Sequence, residues 1–120
     1  MEKKMRTSFI DHSEDGENAY SLVLGLSGPM TDIDWAVDAA NLEITSWEMT
    51  GYFWQSFVQC LWPELAEQVN FDCESGMFCA YGPEPEPLRA LQAPFDAVLA
   101  DPAVVVETIT RRLAEGQDFY

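Results

Sequence analysis

Basic residues are scarce in this chain. Its 120 residues include 6 Lys and Arg against 21 Asp and Glu, a formal net charge of -15. No Lys or Arg lies between Arg6 and Arg89, a stretch that carries most of the acids. Most carboxylates there can find no basic partner nearby in sequence and are expected at the surface, where they create a broad negative field. That field repels nucleic acid and anionic lipid, so direct binding of either is not expected. It attracts a basic partner and speeds the encounter. The same acidity also keeps a protein soluble.

Other absences narrow the function further. His12 is the only histidine, beside Asp11. Acid-base catalysis needs an oriented constellation, and a lone surface histidine does not supply one. The motifs H-E-x-x-H, G-x-S-x-G, the Walker loop and the dinucleotide fingerprint are all missing. No catalytic residue is therefore assigned, and an enzyme is not expected. Cys60, Cys73 and Cys79 are an odd count without a C-x-x-C, which argues against a disulfide framework. Asp32-x-Asp34 followed by Asp38 hints at calcium, but Val37 stands where the loop needs glycine, so neither metal nor cofactor is expected. Apolar runs are too short for a membrane span. No apolar stretch follows Met1-Glu2-Lys3-Lys4, so the cytoplasm is the expected location.

What the chain does have is core material. Hydrophobic residues make up 48% of it, with seven Phe, four Trp and four Tyr, enough for one packed domain over residues 1–120. Residues 6–11 and 18–27 read as a β-hairpin joined through Ser13-Glu14-Asp15-Gly16. Tyr20, Leu22, Leu24 and Leu26 alternate onto its buried face. Residues 31–40 fit a short helix capped by Thr31, with Asp32 and Asp34 in its first turn, but a strand stays open there. Residues 42–48, with Ile44, Thr45 and Trp47, read as a strand. A helix starts near Tyr52, entered through Thr50 or Gly51, and Phe53, Phe57, Leu61 and Leu65 recur along one side. Pro63 should divide it near Trp62.

Residues 69–82 read as a second hairpin, turning at Ser75-Gly76, with Phe71 opposite Ala80 and Cys73 opposite Phe78. That register sets Cys73 and Cys79 on opposite faces, which argues against a bond between them. Cys60 and Cys73 both read as small buried hydrophobes. Pro83-Glu84-Pro85-Glu86-Pro87 reads as an extended connector into a helix with Leu88, Leu91, Phe95, Val98 and Leu99 inward and a bend at Pro94. Asp101-Pro102 opens a last helix, with Arg111 and Arg112 in its final turn and Gly116 as its stop. This order predicts an α+β fold, an antiparallel sheet built mainly of hairpins with helices packed on one face.

Phe71-Asp72-Cys73-Glu74-Ser75-Gly76-Met77-Phe78-Cys79-Ala80-Tyr81 resembles the F-D-x-E-x-G-M-F-C-A-Y pattern of the immunity protein 51 family, bacterial proteins that neutralise polymorphic toxins. Gly51-Tyr52-Phe53-Trp54 resembles that family's G-Y-x-W at a helix start, and Pro63-Glu64-Leu65 follows in the same order. The likeness covers residues 50–115 and leaves 28–49 unmatched. Phe53 stands where the family often has an acid, and the proline-rich connector replaces a polar segment.

The resemblance implies a binder of one cognate toxin domain that blocks its active site or substrate entry. Immunity proteins bind through variable surfaces, so the matched residues would mark scaffold. Nuclease-type toxin domains are basic because they hold phosphates. Carboxylates standing in for phosphates would fit them. Asp32, Asp34, Asp38, Glu43 and Glu48, in the unmatched segment, are the expected contacts. Tyr52 and Trp54 join them, because one stripe cannot bury every aromatic of that helix and Tyr52 or Trp54 is expected to stay partly exposed. The alternatives are an acidic nucleic-acid mimic aimed at another DNA- or RNA-binding protein, and a small enzyme or metal-binding domain.

Overall fold

The computed structural model describes residues 5–15, 19–26, 31–42, 44–45 and 48–116. Strand β1 (Ser8–Asp11) pairs antiparallel with β2 (Tyr20–Gly25), and Asp11 caps a 3-10 turn at Ser13–Asp15 by accepting from the Ser13 N–H at 3.0 Å. Helix α1 (Asp32–Ala39) follows, then α2 (Gly51–Leu61) and α3 (Pro63–Ala66). Strands β3 (Asn70–Phe71) and β4 (Met77–Gly82) come next, and α4 (Pro85–Leu99) and α5 (Pro102–Ala114) complete the described chain. The sheet is antiparallel throughout, in the order β1-β2-β4-β3, so β4 lies at its centre beside β2.

Period-two alternation sorts the sheet's faces. Leu22, Leu24, Phe78 and Ala80 are buried and join one core cluster with residues of α2, α4 and α5. Ser21, Val23, Cys79 and Tyr81, on the opposite face, are only half-buried. The helices therefore cover one face, as the α+β reading predicts. Phe95 of α4 is the hub of the core. Its ring lies 5.3 Å from Phe78 of the sheet, 5.9 Å from Trp54 of α2 and 5.8 Å from Trp62 at the α2–α3 joint. Thr7 ties the entry of β1 to α4, donating from its N–H and hydroxyl to one Asp96 oxygen at 2.7 and 2.8 Å.

Several sequence expectations hold in detail. Residues 31–40 form a helix. Thr31 and Asp34 close a capping box, in which the Thr31 N–H donates to Asp34 Oδ2 at 2.8 Å and the Asp34 N–H returns to the Thr31 hydroxyl at 3.3 Å. Thr50 caps α2, and Pro63 splits it from α3 at Trp62. The second hairpin has the expected register, Phe71 opposite Ala80 and Glu74 bridging Met77.

Four expectations are corrected. Residues 42–48 form no strand among those described. Instead Glu48 closes a local turn, donating from its N–H to the Thr45 carbonyl at 3.0 Å and accepting from the Thr45 N–H at 3.3 Å. Strand propensity there finds no sheet edge to satisfy it. The proline-rich connector is extended only at its start, because α4 already begins at Pro85. Prolines fit a helix's first turn, where their missing N–H groups would have no partner anyway. Strand β3, only Asn70–Phe71, is shorter than the first arm of the hairpin expected over 69–82. At Cys79 the N–H turns to the Cys73 sulfur, 3.4 Å away, so a side chain takes the place of a ladder bond. Finally Cys60 is exposed, and its sulfur accepts from Arg112 at 3.2 Å.

Candidate functional site

The His12 ring shares a hydrogen bond with the Ser21 hydroxyl at 2.9 Å, and its backbone N–H donates to the Ala19 carbonyl at 2.7 Å. Two shallow depressions of about 330 and 360 Å³ flank Pro63, and their only ionisable lining residues are Glu64 and Glu67. Among the described residues no three His, Cys, Asp or Glu side chains gather as a metal site. Burial pushes the thiols of Cys73 and Cys79 above their ordinary range; the Cys79 N–H bond to the Cys73 sulfur offsets part of the rise at Cys73, and a hydrogen bond with Ser21 part of that at Cys79. Such thiols are poor nucleophiles at neutral pH.

The six described residues of the seven expected contacts are spread over α1, the turn at Thr45 and α2. Asp32, Asp34 and Asp38 lie on α1, which packs against α5. Asp34 is committed to the capping box, so the acid is there first to hold the helix end. Glu48 serves the turn with Thr45. Glu43 lies outside the described residues. Tyr52, 51% exposed, emerges one residue after Gly51, whose N–H donates to the Glu74 carbonyl at 3.1 Å. It therefore sits where α2 meets the second hairpin, on different elements from the α1 acids.

Trp54 is corrected outright. It is 1% exposed, edge-on to Phe53 and Phe57 with ring centroids 5.0 Å away, and its Nε1 meets no acceptor. A ring so placed has no surface to offer a partner. The expectation that one of Tyr52 and Trp54 stays exposed is met by Tyr52 alone.

Sequence reasoning missed Trp35. It is 63% exposed, the most exposed of the large hydrophobic residues Ile10, Trp35 and Tyr52. The signal was present. Ile33 and Val37 define the buried side of α1, and position 35 falls nearly opposite at 100° per residue. Asp32 and Asp38 stand three residues to either side of it, so they share its face.

The two segments behind the family resemblance meet in space. Gly51 of the G-Y-x-W segment is buried against the Glu74 and Met77 carbonyls of the hairpin segment. The two segments therefore pack directly against each other.

Searches of the curated proteins and of the solved structures found no match. A family model described as Immunity protein 51 matches residues 12–114. The match takes in residues 28–49, so the expectation that this segment lies outside the family pattern is corrected, and its acids are not set apart as contacts on that ground. The chain therefore belongs to the immunity protein 51 family.

Proposed function

We propose that this protein binds a cognate bacterial toxin domain in the cytoplasm and neutralises it without catalysis, by covering a basic active site or substrate-binding surface. The family match carries the reading of an immunity protein. The charge supports the finer part: a net -15, with no Lys or Arg from residue 7 to residue 88, complements a domain built to hold phosphates. A nuclease is the class of toxin that this charge fits best. The proposed contacts are Asp32, Asp38 and Tyr52, with Asp34 and Glu48 supplying charge while serving local caps. None of the described helices is long and apolar enough to cross a membrane.

The test is a rescue assay with the toxin domain encoded beside this gene. Cells expressing that domain should die alone and survive when this protein is co-expressed, and the two proteins should co-purify. Survival without a complex would refute neutralisation by binding. A stable complex with some other nucleic-acid-binding protein, without rescue, would select the nucleic-acid-mimic alternative.

A further inference from the structure

We infer that Trp35 is the anchor of the toxin-binding surface, a projecting knob that enters an apolar socket ringed by basic groups on the toxin domain. The inference rests on the immunity reading and deepens it.

Three observations carry it. The first is position. Helix α1 buries Ile33 and Val37 against the core and turns Trp35 outward, where 63% of the residue stays accessible. An indole in water has a large apolar area and gains nothing from that exposure within the monomer. The second is rigidity. The capping box at Thr31 fixes the start of α1, and packing on α5 fixes its inner side, so the ring stands on an ordered helix. A pre-positioned anchor loses less entropy on binding than one carried by a mobile loop. The third is charge. Asp32 and Asp38 share the face of Trp35, within a stretch of sequence that holds no cation. Tryptophan is among the residues most enriched at binding hot spots.

The charge also selects the occupant. A second copy of this chain would bring together two bodies of net charge -15. A nucleic acid would be repelled in the same way. A basic protein domain is the occupant whose charge and apolar content both match this face. Ile10, on the open face of the sheet and 44% exposed, lies on β1, a different element, and provides the comparison.

The experiment measures the affinity of the full chain for the toxin domain encoded beside its gene, in an inactivated form, by calorimetry at fixed salt. Trp35→Ala should weaken Kd about 30-fold or more, the loss expected of a hot-spot tryptophan. Ile10→Ala should leave Kd within about threefold, as expected outside a hot spot. Melting curves of the free variants should superimpose on the wild type, because the ring is largely exposed. Trp35→Phe keeps an aromatic knob and should fall between the two.

A smaller loss for Trp35→Ala, with the wild type binding and rescuing, overturns the anchor and leaves the immunity reading intact. Absence of both binding and rescue by the wild type overturns the reading and the anchor with it. If the wild type is a dimer in sedimentation and Trp35→Ala is a monomer, the face is occupied by a second copy, and the assignment to the toxin is wrong.

Discussion

Gly51→Ala should be among the most damaging small substitutions in this protein. Gly51 is the first residue of α2, and its backbone lies against the turn of the second hairpin. A Cβ added there would run into the carbonyl oxygens of Glu74 and Met77 and stand 2.6 Å from the Met77 carbonyl carbon. These are backbone atoms of a tight turn. Glu74 and Met77 each donate to the other's carbonyl, at 2.8 and 3.1 Å, so the turn cannot yield as a flexible side chain would. Relief must come from moving α2 off the hairpin.

Overpacking of this kind costs about 1–3 kcal/mol. Loss of the Gly51 N–H bond to Glu74 adds about 1 kcal/mol. The better helix propensity of alanine returns at most about 1 kcal/mol. The net destabilisation is about 1–4 kcal/mol, which for a domain of this size lowers the melting temperature by roughly 5–15 °C. Urea denaturation followed by tryptophan fluorescence would measure it. A Gly51→Ala variant as stable as the wild type would refute the packing of α2 on the hairpin turn. It would also remove the physical account of why these two family segments occur together.

Three further predictions concern the capping box and the thiols. Thr31→Ala removes the hydroxyl that accepts from Asp34 N–H and donates to Asp34 Oδ2, and should cost about 1 kcal/mol in urea titrations. If Trp35 is the anchor, the same change should also weaken toxin binding, because it loosens the helix that carries the ring. With a thiol reagent at pH 8, Cys60 should react quickly and Cys73 and Cys79 slowly, as their exposure and raised pKa values dictate. The raised thiols also set a pH dependence. The folded state keeps their protons beyond the ordinary pKa of 9.0, so the stabilisation is fully present below that pH. It is lost as pH rises through the folded values. Cys73→Ala should flatten the alkaline limb of the stability profile, and an unchanged limb would assign it to other groups.

Local rules made much of this fold legible in the chain itself. Alternation in Tyr20–Leu26 fixed which side of β2 is buried. The Ser75-Gly76 turn fixed the register of the second hairpin, because a two-residue turn leaves one pairing. Thr31, Thr50, Pro63 and Gly116 marked helix ends, since the unsatisfied groups at a helix terminus demand particular residues. The acidity and the family motifs pointed to a binding protein.

Tertiary contacts decided the rest. A β-rich composition could not make a strand of the described residues within 42–48, because a strand exists only where a neighbouring edge accepts its hydrogen bonds. Which aromatic of α2 would face solvent depended on where α4 and the sheet lay: Phe95 and its neighbours enclose Trp54, while Tyr52 points away from them. Asp34 looked like a surface charge until the cap claimed it. Trp35 had no stated role until the burial of Ile33 and Val37 turned it outward. Charge and turn chemistry act over a few residues and can be read along the chain; exposure is set by what else packs nearby, and that is known only when the chain is folded.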